Sequence, residues 1–188
     1  MYFNFPFNTM KKIYFITLIL FIIPANFSFG KVFNTRDKSL TAAFPKATNI
    51  EKIQVFLNDT QSEKIKQKAK TNIDSKLYTF YRATEGNREI GYAVIDTHTL
   101  RTTTETVLFV LNCDGSLKYT EILAFFEPQD YMPGNKWMNT FKNKSIKDKI
   151  KVGRDIPDIT GATITSNSFS DATRKILAIY EVAVKEHH

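Results

Sequence analysis

Cysteine is almost missing from this sequence. The 188 residues include one, Cys113, which excludes an internal disulfide framework and any cluster of cysteine metal ligands. Histidine is scarce too, and two of the three, His187 and His188, stand at the extreme C-terminus. A histidine metal site is therefore not expected. Any chemistry must come from a bound cofactor or from ordinary acids and hydroxyls. Long apolar runs are also lacking. The longest, Ile13 to Ile23, is about half of the roughly 20 residues that a membrane-spanning helix needs. Internal repeats and low-complexity tracts are absent.

That short apolar run has a different meaning. Lys11 and Lys12 precede it, Pro24 breaks it, and Ser28-Phe29-Gly30 puts small residues at the −3 and −1 positions before Lys31. This is the layout of a secretory signal peptide, residues 1–30, cleaved after Gly30. The expected destination is the periplasm or another extracytoplasmic space. No cysteine lies near the cleavage point, so lipoprotein anchoring is excluded. The rest of the chain, 43% hydrophobic and 24% charged overall, suits one globular domain. The net charge is +7, with lysines concentrated at 64–76 and 136–151. Export, and the absence of interleaved basic and aromatic residues, argue against nucleic acid. Solvated helix and loop faces are the simpler account of the lysines, and docking to an acidic redox partner is the alternative.

Residues 31–76 form an N-terminal segment. Leu40–Phe44 suggests one short helical turn, and Lys52–Leu57 a strand. Asn58-Asp59 signals a turn, and Thr60-Gln61-Ser62-Glu63 fits a capping box that opens an amphipathic helix through Lys70. Four strands follow in quick succession: Lys76–Ala83, Glu89–Thr97, Glu105–Asn112 and Leu117–Phe126. Glu85-Gly86-Asn87 and Cys113-Asp114-Gly115-Ser116 are turns. Cys113 reads as incidental there, and His98, at the end of the second strand, as a loop residue. Short connections between consecutive strands predict a largely antiparallel sheet, hence an α+β fold with helices packed on it.

After the last strand comes an irregular loop through Glu127-Pro128, Tyr131, Pro133-Gly134 and Trp137. It either carries function or packs on the core by its own aromatics. Trp137–Phe141 suggests a short helix. The final helix shows an apolar stripe through Ile176, Tyr180 and Val184. Just before it stands Ile156-Pro157-Asp158-Ile159-Thr160-Gly161-Ala162-Thr163-Ile164-Thr165-Ser166. Four hydroxyls crowd this helix start, beside a glycine. Free N–H groups and the positive end of the helix dipole favour a phosphate there. The same residues also suit an ordinary N-cap.

Thr160-Gly161-Ala162-Thr163-Ile164-Thr165, followed by a helix, resembles the flavinylation motif of the FMN-binding domain family. That domain occurs in the G subunit of the Rnf electron-transport complex and the C subunit of the sodium-pumping NADH:quinone oxidoreductase. It also occurs in exported flavin carriers. The resemblance covers most of residues 77–180, within an expected FMN-binding domain of residues 77–188. It implies FMN on Thr163 through a phosphoester, installed by a flavin transferase that uses FAD. It further implies that Thr160, Gly161, Ala162 and Thr165 surround the phosphate. Glu127 would position the flavin or cap the following helix, and Tyr131 or Trp137 would stack on the flavin ring. Arg82 and Arg101 are the basic residues available to favour the reduced, anionic flavin. The family usually carries aspartate where this chain has Pro157, and Asp155 and Asp158 are the nearest acids. The implied function is electron relay between redox partners, free or membrane-bound, rather than stand-alone catalysis. The alternative is a binding or adaptor module of the same fold without covalent flavin. A hydrolase with Thr163 as nucleophile lacks an activating base in the sequence.

Overall fold

The computed structural model describes residues 30–185. The expected signal peptide, apart from Gly30, lies outside them, as do His187 and His188. The described chain is α+β: a six-stranded antiparallel sheet in the order β1-β6-β5-β4-β3-β2, with helices on both faces. The strands are β1 (Lys31–Val32), β2 (Asn49–Phe56), β3 (Leu77–Glu85), β4 (Arg88–Thr99), β5 (Thr104–Leu111) and β6 (Leu117–Phe125). The helices are α1 (Arg36–Ala43), α2 (Asp59–Ala69), the single turn α3 (Asn135–Met138) and α4 (Thr163–Ile179). Short 3-10 turns occupy Gln129–Tyr131 and Asn139–Phe141, and a π turn, Tyr180–Val184, prolongs α4. Among the described residues, no helix is long and apolar enough to cross a membrane.

Alternation along the strands sends side chains to two cores. From β5, Val107, Phe109 and Leu111 join the larger core under α2 and α4. Leu108 and Val110 face the other way, against Leu40, Ala43 and Phe44 at the end of α1. This central strand is buried on both faces, which explains its unbroken apolar sequence. In α4, Phe169, Ala172, Ile176 and Leu177 face the larger core, and Tyr180 and Val184 extend that contact. The 31–76 segment is woven into the same body. β2 pairs with β3 from Asn49↔Thr84 to Phe56↔Leu77. Ile65 and Ala69 of α2 belong to the larger core.

Two local expectations are corrected. Leu40–Phe44 is not an isolated turn but the end of the eight-residue α1. The capping box of α2 uses Asn58 rather than Thr60. Asn58 Oδ1 accepts the Gln61 N–H at 2.8 Å, and the Asn58 N–H donates to Gln61 Oε1 at 3.1 Å. The required spacing of cap and third residue was therefore met two positions earlier, by residues that also look like a turn. Asn58→Ala should lower stability by about 1 kcal/mol, read as a reduced denaturation midpoint with an unchanged slope.

Candidate functional site

Gly161 turns the chain into α4. Its φ of 82° is a left-handed conformation that glycine adopts without strain. The Ala162 N–H closes the preceding turn onto the Ile159 carbonyl at 3.0 Å. Ala162 then occupies the N-cap position, and no side chain caps the helix. The first intrahelical bond recorded across this cap runs from the Ser166 N–H to the Ala162 carbonyl, at 3.0 Å. The N–H groups of Thr163, Ile164 and Thr165 thus open the helix without a partner among the described residues. Such groups suit an anion.

The four hydroxyls separate. Thr160 and Thr163 are exposed, whereas Thr165 and Ser166 are buried. Ser166 bends back, donating its hydroxyl to the Ala162 and Thr163 carbonyls at 3.2 and 3.1 Å. That local bond removes it from any ligand role. The Thr163 carbonyl also accepts Asn167 Nδ2 at 2.9 Å. Its hydroxyl keeps an exposed position in the first helical turn.

Beside this turn is a small cleft lined by Leu100, Arg101, Glu127, Tyr131, Gly161, Ala162, Ile164 and Thr165. The fold thus brings together most of the residues singled out in the sequence. The cleft holds about 20 Å³, roughly the room for one water. Tyr131 is 37% exposed, so it stands at the rim. The residues suit a phosphate at the helix start.

Glu127 reaches the turn between β4 and β5. Its Oε1 accepts the Thr102 and Thr103 N–H groups at 3.3 and 3.4 Å. Burial opposes its charge, but these hydrogen bonds outweigh burial and hold its pKa below the usual glutamate value. Glu127 therefore fixes the turn that presents Leu100 and Arg101 to the cleft.

Trp137 does not join the cleft. It is buried at 9% exposure, with its ring edge-on to Phe141 and Phe169 at centroid distances of 4.9 and 5.4 Å. Its Nε1 donates to the Pro157 carbonyl at 2.7 Å. A buried indole needs such a partner, and here the bond ties down the segment leading to Thr160. Arg82 is also elsewhere, paired with Glu51 across β2 and β3 at 2.6 Å. Of the two acids near Pro157, Asp155 is engaged. It accepts the Ile150 and Lys151 N–H groups and Lys144 Nζ at 2.9, 2.8 and 3.1 Å. Burial resists its charge, but these contacts prevail and bring its pKa to about 2. Asp158 is exposed.

One cluster went unseen in the sequence. His98 belongs to β4, not to a loop, and its side chain is 9% exposed. Nδ1 meets Asp96 Oδ2 at 3.0 Å and Nε2 meets Glu105 Oε1 at 2.7 Å. Lys175 Nζ from α4 reaches Asp96 Oδ1 at 3.0 Å and Asp74 Oδ1 at 3.3 Å. Burial opposes the imidazolium, but its two carboxylate partners overcome this and raise its pKa to about 9. A signal existed: Asp96 and His98 are two apart, hence on one strand face. Glu105 completes the set only through the β4–β5 register, in which His98 pairs with Glu105. The cluster closes the base of the turn carrying Leu100 and Arg101.

No curated protein matches the chain. Residues 37–178 match the family model of the FMN-binding domain, a span running from α1 through nearly all of α4. That match takes in β2 to β6, the cleft and the uncapped helix start, and FMN is the cofactor it implies. The chain therefore belongs to the FMN-binding domain family.

Proposed function

We propose that this protein is an exported electron carrier holding FMN covalently on Thr163 through a phosphoester. One observation carries the reading: an exposed Thr163 hydroxyl at an uncapped helix start, next to a left-handed glycine. Bound flavin supplies one- or two-electron redox chemistry. The chain's own part is to hold and tune that group. The N–H groups of Thr163, Ile164 and Thr165 are the free donors for phosphate oxygens, joined by the exposed Thr160 hydroxyl. The Ala162 N–H, engaged with Ile159, does not take part. Arg101 supplies positive charge at the cleft, and Tyr131 an aromatic face at its rim. Attachment suits an extracytoplasmic protein, because flavin lost there cannot be replaced from a cytoplasmic pool. The partners are a flavin transferase during maturation and redox proteins afterwards. The protein acts as a carrier rather than a stand-alone catalyst.

Intact-mass spectrometry tests this on protein exported from cells carrying the transferase. The expected gain is one FMN less one water, mapped to the peptide containing Thr163. An unmodified mass despite active transferase would favour an adaptor module of the same fold. Pro157, at the place of the usual aspartate, motivates that second reading. Pro157→Asp retains the carbonyl that receives Trp137 Nε1, so the variant should fold. It should also raise the labelled fraction. An unchanged fraction would mean that exposed Asp158 already suffices.

A further inference from the structure

A groove of about 610 Å³ runs beside α4, between the end of α2 and the 146–154 loop. Seven cations line it: Arg174, held by Asp171, and six others, Lys68, Lys70, Lys147, Lys149, Lys151 and Arg154. All six are exposed, and none has an ion-pair partner among the described residues. The two acids on the wall are both engaged. Asp148 accepts the Ser145 N–H and hydroxyl at 2.8 and 3.1 Å. Asp171 pairs with Arg174, whose guanidinium also donates to the Ala69 and Ile150 carbonyls. The result is a patch of net positive charge, gathered from the end of α2 and the 146–154 loop.

The patch lies in line with Thr163. Asn167, Asp171 and Arg174 form the α4 wall of the groove. Thr163 precedes them at the spacing that keeps residues on one helical face. The opposite side of the helix start faces the small cleft of Leu100, Arg101 and Tyr131. A protein that reacts with the Thr163 hydroxyl must cover the surface around it, and one helical turn further on, at Asn167, the groove begins.

We infer that this groove docks the acidic face of the enzyme that esterifies Thr163, an inference resting on the reading of Thr163 as the attachment residue. The chemistry of the six cations favours a protein over a small anion. Exposed lysines are mobile point charges on long stems, without the rigid, buried donors that select a single phosphate. Spread along a groove, they steer and orient a carboxylate-rich surface. The lining contains no aromatic residue for stacking bases, and its apolar members, Ile146 and Val152, are half-buried. In the docked complex the Thr163 Oγ1–phosphorus bond forms and the pyrophosphate P–O bond of the flavin dinucleotide breaks. The nucleoside monophosphate leaves, and the hydroxyl proton passes to a base of the transferase.

The test compares the wild type with a variant carrying Lys147→Glu, Lys149→Glu and Lys151→Glu. A control carries Lys38→Glu, Lys46→Glu and Lys52→Glu, the same charge change at exposed sites on α1, the following loop and β2. Binding to purified transferase is measured by biolayer interferometry at about 50 mM and about 500 mM salt. Flavin incorporation from FAD is followed in parallel. The groove variant should bind at least roughly tenfold more weakly at low salt, with the gap closing at high salt. Its incorporation should slow through a raised KM with the plateau rate kept, and the control should behave as wild type. Equal affinity and salt dependence in all three proteins would overturn the inference. Groove-dependent binding with no label on any of them would instead refute Thr163 as the attachment point and leave the docking surface standing. Thermal melting of each variant shows whether it is folded.

Discussion

Thr163→Val is expected to abolish covalent flavin while leaving the protein folded. Valine keeps the branched shape of threonine and loses the one atom that can be esterified. The Thr163 side chain is exposed at the first position of α4, so no buried group loses a partner. The carbonyl that receives Ser166 Oγ and Asn167 Nδ2 belongs to the backbone and is retained. The stability change should stay within about 0.5 kcal/mol, as for surface substitutions in general. Thr163→Ser keeps a hydroxyl and should keep the label. Thr160→Val removes the neighbouring exposed hydroxyl and should also keep it. Intact mass, peptide mapping and melting temperature read all three variants together. Covalent flavin surviving in Thr163→Val would rule out the assignment.

His98→Ala should produce the largest loss of stability, about 3–5 kcal/mol. The reason is what it leaves behind. Glu105 has no exposed side-chain surface, and its second oxygen already has no hydrogen-bond partner. Without the imidazole, Glu105 loses its near counter-charge, and Asp96 retains only Lys175. A buried charge stripped of its partner costs far more than the pair itself contributes. The turn whose base this cluster closes should loosen as well, disturbing Leu100 and Arg101 at the cleft.

The same cluster sets a pH dependence. The His98 pKa in the folded protein, about 9, lies above its unfolded value of about 6.5. Its contribution is therefore full below about pH 6.5 and is lost as pH rises through about 9. Asp96 runs the opposite way. Burial resists its charge, but His98 and Lys175 lower its pKa. Its contribution is present above the ordinary aspartate value and is lost as pH falls. The other groups facing the cluster are Lys175 from α4, Asp74 before β3, and Tyr78, whose hydroxyl donates to Asp74. Burial pushes the Tyr78 pKa well up, so it does not titrate in this window. Urea unfolding at about pH 6 and about pH 9 should show the wild type losing stability at the higher pH, with the slope absent in His98→Ala. A loss below about 1 kcal/mol, or an identical pH slope, would mean that the cluster is electrostatically idle.

Much of the sheet was legible in the chain. Leu77–Glu85, Arg88–Thr99, Thr104–Leu111 and Leu117–Phe125 each fall within a few residues of the runs of β-favouring residues that announced them, because alternation and turn residues are local signals. The Thr-Gly-Ala-Thr turn was legible for the same reason: Gly161 is needed for the left-handed step, and hydroxylated residues flank it. Trp137 misled because a loop tryptophan near a motif resembles a stacking platform. Its burial depends on Phe169, 32 positions further along the chain. Glu127 was assigned to the flavin from the family resemblance, although its hydrogen bonds go to the 102–103 turn.

By itself the sequence determined the order of the elements, the place of the helix start and the hydroxyl offered there. These depend on residues within one turn or one strand of each other. Only the tertiary structure decided which residues share the site. It joined His98 to Glu105 through strand register and to Lys175 through the packing of α4. It also sank Trp137 into the core, and it gathered lysines from the end of α2 and the 146–154 loop beside α4. The physical reason is that burial and charge act through space. A buried carboxylate must find its counter-charge, and an exposed cation its partner, wherever the packed helices and paired strands place them.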